Sequence, residues 1–177
     1  MKISACLLAL APLVLAVSLH AAEWTSSFSE EGQASQTCAN GSALRGIQCS
    51  GRYCDNLSLY CGDRIGNTRN SWWARYISEE NRNGRDTVNG VVVRVNDNMQ
   101  RCSTNGYITG MRCNGDYCDN ISLLCTQFSN RSPGNCSWSP WISEENGGRL
   151  VFAQNRHAVA MECRGGYCDN KRFLICN

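Results

Sequence analysis

One phrase of about thirteen residues is written three times in this chain. "CSGRYCDNLSLYC" runs from Cys49 to Cys61, "CNGDYCDNISLLC" from Cys113 to Cys125, and "CRGGYCDNKRFLIC" from Cys163 to Cys176. A second signature precedes each copy: "WTSSFSEEG" from Trp24, "WARYISEEN" from Trp73 and "WSPWISEEN" from Trp138. Nine residues after its Ser come Cys38 in the first copy and Phe152 in the third, while Cys102 in the second lies fifteen residues farther on. From that position the next cysteine always follows after eleven: Cys49, Cys113, Cys163. Self-similarity at a fixed period restricts the fold more than any composition does. The repeats, about 23–66, 67–135 and 136–177, are copies of a unit of about fifty residues, the second carrying an insertion. Together they predict a single domain.

Each unit reads as β. "ALRGIQC", "YITGMRC" and "AVAMEC" are short apolar runs bounded by Asn and Gly. "LSLYC" and "ISLLC" alternate, so that Leu57, Leu59 and Cys61 share one face, as do Ile121, Leu123 and Cys125. No segment sustains a helical period, and Gly, Asn and Ser punctuate the chain throughout. The third copy carries one additional residue before Cys176, which a β-bulge near Phe173 to Ile175 would absorb. The expected class is therefore an all-β, disulfide-rich domain of three repeats.

The N-terminus reads as an export signal over 1–22: Lys2, an apolar run from about Ala5 to Leu19, then Ala21 and Ala22. The run is short for a membrane span. Its removal takes Cys6 away and leaves twelve of the thirteen cysteines. An even, dense set in an exported chain argues for disulfides, a secreted or extracellular location, and a periplasmic one if the source is bacterial. His157 is the sole histidine after the signal, so neither a metal nor a cofactor is expected. The net charge of +2 gives no electrostatic reason to expect nucleic acid as a partner.

A strand–turn–strand unit brings Cys49 opposite Cys54 and leaves Cys38 and Cys61 to bracket the repeat. The same logic gives Cys113–Cys118 and Cys102–Cys125 in the second copy and Cys163–Cys168 in the third. There Phe152 replaces the outer cysteine, so Cys176 is assigned to Cys136, the one cysteine outside the pattern. Spacing alone leaves exchange of inner and outer partners open.

Three repeats, each opening on Trp and closing on Asp-Asn-x-x-Leu-x-Cys, resemble the vitelline membrane outer layer protein I family. The matching residues are Trp24, Cys38, Gly46-Ile47, Asp55-Asn56 and Leu59-Tyr60-Cys61, with their counterparts in the other copies. The inner Cys-x4-Cys pair and Ser-Glu-Glu depart from that family's pattern. The resemblance implies a β-prism, three sheets about a pseudo-threefold axis, and an outer bridge of the kind assigned above. It also implies a secreted, matrix-like protein with carbohydrate binding suggested by likeness to β-prism lectins. The alternative fold is a β-trefoil, whose Gln-x-Trp signature is absent.

The repeated polar residues are Tyr53, Asp55, Asn56; Tyr117, Asp119, Asn120; and Tyr167, Asp169, Asn170. Such a set offers oxygens and amides for sugar hydroxyls and an aromatic face for C–H packing. A competing reading makes Asp and Asn the caps of a turn leading into a strand, and triplication suits it. Trp24, Trp73 and Trp138 recur in register and read as core or inter-repeat packing, whereas the unrepeated Trp72 and Trp141 are candidates for exposed stacking.

The pairs Glu30-Glu31, Glu79-Glu80 and Glu144-Glu145 invite a glycosidase reading. Neighbours on an extended segment point to opposite faces, however, so no pair converges alone. Nucleophilic catalysis would have to use His157, whose positions in the other copies hold Tyr107 or Ala43. The reading is thus a non-enzymatic, lectin-like module with a glycan or glycosylated surface as partner. The alternatives are a coat protein, or a protein-binding effector or inhibitor acting through the insertion within Asn81 to Gln100, where "VVVRV" suggests a projecting hairpin. A glycan-active enzyme ranks last. Asn40, Asn56, Asn120 and Asn135 begin N-x-S sequons.

Overall fold

The computed structural model describes residues 22–78, 85–88, 91–94 and 98–177, so the expected signal segment lies outside the described residues. The strands, in chain order, are β1 (Glu23–Trp24), β2 (Ser35–Thr37), β3 (Ser42–Ser50), β4 (Asn56–Arg64), β5 (Thr68–Trp73), β6 (Arg85–Val88), β7 (Val91–Arg94), β8 (Met99–Arg101), β9 (Tyr107–Asn114), β10 (Asn120–Phe128), β11 (Ser137–Trp138), β12 (Arg149–Val151), β13 (His157–Arg164) and β14 (Asn170–Cys176). Twelve of them form three four-stranded sheets in the orders β1-β4-β3-β12, β2-β9-β10-β5 and β11-β14-β13-β8. Every pairing is antiparallel. The central strands β3, β9 and β13 contact one another pairwise, so the sheets are the faces of a prism about a pseudo-threefold axis. This is the all-β, three-repeat architecture expected from the sequence.

Each sheet is built on one repeat's long hairpin, β3–β4, β9–β10 or β13–β14, but its outer strand comes from elsewhere. The first repeat places β2 against β9, the second places β8 against β13, and the third places β12 against β3. The residue following each exchanged strand repeats the link: Cys38 N donates to Thr109 O at 2.7 Å, Cys102 N to Val159 O at 2.9 Å and Phe152 N to Arg45 O at 2.8 Å. The exchange passes from first to second to third and back to first.

The inward face is the one the alternation assigned. Leu44, Ile47, Leu57, Leu59, Ile108, Met111, Ile121, Leu123, Met161 and Phe173 are fully buried. Side chains of this size each contribute about 1.5–3 kcal/mol on leaving water. At the position of Leu57 and Ile121 the third repeat has Lys171, equally buried, whose Nζ donates to Cys168 O at 2.6 Å.

All six expected disulfides are present: Cys38–Cys61, Cys49–Cys54, Cys102–Cys125, Cys113–Cys118, Cys136–Cys176 and Cys163–Cys168. The register does shift between Leu174 and Ile175, but the extra residue is Val159 on β13 and not one on β14 as expected. Each hairpin has an irregularity on its first strand, around Arg45, Thr109 and Val159, and the first hairpin has another between its Ser42↔Arg64 and Leu44↔Cys61 pairs. Ile175 opposes Ala158 just as Cys61 opposes Leu44 and Cys125 opposes Ile108. Cys176 therefore stands one residue beyond the outer-cysteine position and opposes His157. Cys136 reaches it from the segment before β11, with the two Cα atoms 4.1 Å apart.

Two further expectations change. The insertion does contain a hairpin, β6 paired with β7 from Arg85↔Arg94 to Val88↔Val91, while residues 81–84, 89–90 and 95–97 lie outside the described residues. Met99 and Gln100, at the end of the Asn81 to Gln100 span, belong instead to β8, the exchanged strand of the third sheet. The first and third Ser-Glu-Glu segments are not extended either. Glu144–Asn146 is a 3-10 turn whose Ser143 and Asn146 form a capping box, and Glu30-Glu31 also lies in a turn. Glu79 and Glu80 lie outside the described residues.

Candidate functional site

The prism has two ends and three outer faces. At one end the triplicated motif closes the axis. Gly51, Gly115 and Gly165 have φ of 75°, 76° and 81° with ψ near 180°, a region open essentially to glycine alone. A Cβ at these glycines would stand 2.0, 2.0 and 2.1 Å from Oδ1 of Asp55, Asp119 and Asp169. The same oxygens accept from Nδ2 of Asn56, Asn120 and Asn170 at 2.6, 2.7 and 2.7 Å. Each carboxylate thus lies against its own loop and pairs with the asparagine that follows it. The repeated turn is Gly-x-Tyr-Cys-Asp-Asn, and its glycine is a signal that sequence reasoning passed over.

After each glycine, Tyr and Cys are both left-handed: Tyr53 and Cys54 at φ 58° and 57°, Tyr117 and Cys118 at 56° and 57°, Tyr167 and Cys168 at 58° and 53°. Consecutive non-glycine residues in this region cost about 1–3 kcal/mol each, and the inner disulfide holds them there. The turn swings the tyrosines onto the axis. Their ring centroids lie 5.2 Å (Tyr53–Tyr117), 4.8 Å (Tyr53–Tyr167) and 5.0 Å (Tyr117–Tyr167) apart. The guanidinium of Arg52 covers Tyr53 at 5.0 Å and Tyr117 at 5.8 Å.

The first Glu of Ser-Glu-Glu secures this cap across repeats. Glu30 accepts from Tyr117 N at 3.0 Å, and Glu144 accepts from Tyr53 N at 3.2 Å. Glu30 also approaches Cys113 and Cys118 closely enough to suggest a metal trio, but the two sulfurs form one disulfide and offer no thiolate.

The tryptophans are where the sequence expectation turns around. Trp24, Trp73 and Trp138 are not core residues; they lie on the outer faces, Trp138 at 37% exposure. Each carries an arginine: Arg149 over Trp24 at 4.7 Å, Arg112 over Trp73 at 4.5 Å and Arg172 over Trp138 at 4.6 Å. Both faces of a sheet repeat with the same period, so register could not distinguish inward from outward. Trp72, an expected stacking residue, packs partly buried against the core instead. Trp141 stands where the other copies have Tyr76 and Ser27.

On the third sheet these side chains form a ladder. Arg172 lies between Trp138 and Trp141, 4.6 Å from each ring, and Arg164 covers Trp141 at 4.0 Å. Glu162 orients Arg172, accepting from Nε at 2.7 Å and Nη2 at 2.6 Å. The result is an exposed surface of alternating indole and guanidinium with one carboxylate. The second sheet has a shorter version, Arg112 between Trp73 and Tyr76 at 4.5 and 5.1 Å. Of the sequon asparagines, Asn56 and Asn120 are tied to their aspartates, while Asn40 and Asn135 are exposed.

No protein-family model matches the chain, and neither a curated protein nor a solved structure does.

At the opposite end β13 begins with His157, 3% exposed, its ring edge-on to Tyr107 at a centroid distance of 6.1 Å. Burial, with Arg131 and Arg45 nearby, lowers its pKa to about 4 against a smaller opposing pull from Asp63. Burial also raises the Tyr107 hydroxyl pKa, partly offset by Arg131.

Proposed function

We propose that this protein is an extracellular, non-enzymatic carbohydrate-binding module, and that it reads glycans with the outer face of its third sheet. The observation that carries this is the Trp138–Arg172–Trp141–Arg164 ladder with Glu162 beside it. Indole surfaces pack against sugar C–H groups, guanidinium forks donate to hydroxyls and acidic substituents, and a carboxylate accepts from hydroxyls. Trp138, Glu162, Arg164 and Arg172 stand on paired strands of a disulfide-linked prism, and Trp141 is anchored by the neighbouring Ile142–Lys171 bridge, which fixes the ladder before a ligand arrives. The resemblance to the vitelline membrane outer layer protein I family and the cysteine-rich, exported character of the chain point the same way.

The triplicated Tyr, Asp and Asn residues take a different part in this reading. Their side chains close the end of the prism, and the face beside them does the binding. A glycan array followed by calorimetry tests the proposal. Trp141→Ala and Arg172→Ala should each weaken binding tenfold or more while the protein stays folded, the melting temperature falling only by the few degrees that lost surface stacks imply. No heat with any arrayed glycan class at millimolar concentration would sink it.

A further inference from the structure

A second site of different chemistry lies at the histidine end. Arg45 from β3, Asp63 and Arg64 from the end of β4, Arg131 from the segment after β10, Asn155 and His157 surround a cavity of about 210 Å³. At roughly 30 Å³ per water molecule this is room for several waters or one polyatomic ion with its shell. Three guanidinium groups face one carboxylate, so the walls carry an excess of positive charge.

Two of the cations are braced. Arg45 Nε donates to Phe152 O at 3.4 Å while its guanidinium lies over Tyr60 at 5.5 Å, and Arg64 Nη2 donates to Asn67 Oδ1. Arg131 reaches the cavity from beside the Tyr107 hydroxyl. His157 lines the same cavity and brings an independent observation. It is 97% buried by the complement of its 3% exposure, and its Nδ1 has no hydrogen-bond partner. Buried polar atoms are satisfied in the great majority of cases, and this one lies just behind the wall of a cationic cavity that its own residue lines.

We infer that this cavity binds a tetrahedral oxyanion, sulfate or phosphate, free or as the ester group of a larger molecule. Arg45, Arg64 and Arg131 supply the charge, and the His157 imidazole adds a donor N–H. Guanidinium forks match the oxygen spacing of such anions and make charge-assisted hydrogen bonds to them. Asp63 accepts from a hydroxyl on the ligand or from a water of its shell. The site shares no residue with the tryptophan ladder, so it stands or falls separately from the glycan reading.

The test is calorimetry and imidazole NMR on the whole protein. The probes are sodium sulfate, sodium phosphate, galactose 6-sulfate and galactose, against sodium chloride at equal ionic strength. Sulfate should bind in the millimolar range or tighter, and should move the His157 titration midpoint upward by about one pH unit, since a nearby anion favours the imidazolium. Arg131→Gln and Arg64→Gln, both on exposed positions, should weaken binding at least tenfold with unchanged melting temperatures. Tighter binding of galactose 6-sulfate than of sulfate assigns the site to an ester, and equal or weaker binding assigns it to the free ion. Sulfate acting no differently from chloride, or affinity surviving both substitutions, overturns the proposal.

Discussion

The two ends of the prism are made from the same three repeats and have opposite character. At the tyrosine end every copy contributes the same side chains in the same conformation: a left-handed Tyr-Cys pair, an Asp on a glycine, three rings in mutual contact. At the histidine end the equivalent positions, six residues before Cys49, Cys113 and Cys163, hold Ala43, Tyr107 and His157. These sit in or beside a small second cluster with Phe128, Val159 and Cys176. The symmetric end is a device of folding, because whatever a repeat needs in order to close must be written in every copy. The asymmetric end has been released from that requirement, and it is where a buried histidine and a charged cavity occur.

Breaking the symmetric end should cost most. Gly115→Ala drives a Cβ into the Asp119 carboxylate and places alanine in a glycine-only backbone region. We expect a loss of about 3 kcal/mol or more by denaturant unfolding, with similar values for Gly51→Ala and Gly165→Ala. Unequal values would show that the three turns are not equivalent.

The next effect belongs to the histidine end and is driven by pH. The folded-state pKa of His157, about 4, lies below the ordinary value of 6.5. Between these values the unfolded chain binds a proton that the folded chain refuses. The neutral histidine's contribution is thus fully present above about pH 6.5 and is lost as pH falls toward 4, about 3 kcal/mol in all. His157→Gln should flatten stability over this window, measured by urea unfolding in a buffer free of sulfate and phosphate. An unchanged slope would place the acid sensitivity elsewhere.

Glu30→Ala removes the acceptor for Tyr117 N and should destabilise by about 1–3 kcal/mol, with Glu30→Gln recovering part of the loss. Smallest is Trp138→Ala. Its exposed stack on Arg172 should contribute about 0.5–1 kcal/mol, measurable by thermal unfolding.

Much of the symmetric end was legible in the sequence. The pairing favoured by the Cys-x4-Cys spacing, with Cys136 and Cys176 left for each other, matches all six disulfides although spacing alone leaves exchange of partners open, and alternation in "LSLYC" placed Leu57 and Leu59 inward. The Cys136–Cys176 pairing is correct although one step toward it was not: Cys176 is offset by one residue from the position of Cys61 and Cys125. The exchange of β2, β8 and β12 was not legible, because periodicity describes the faces of a strand and not which sheet edge it joins. The core alternative for Trp24, Trp73 and Trp138 fails for a related reason, since a repeat preserves the outside as faithfully as the core, while Trp24 under Arg149 of the third repeat does pack between repeats. The cavity around His157 assembles four separated segments, and no local spacing records it.

The circular exchange of strands also governs how such a chain can grow. A solenoid adds a copy by stacking another unit on the last. Here each unit completes its neighbour's sheet and the third returns to complete the first. A fourth copy would have no sheet to complete without opening the ring, and a lost copy would leave one outer strand unpaired and one sheet short. The copy number is therefore fixed at three by topology, and the room for novelty lies within the copies, in an inserted hairpin in the second and a ladder of tryptophans and arginines in the third.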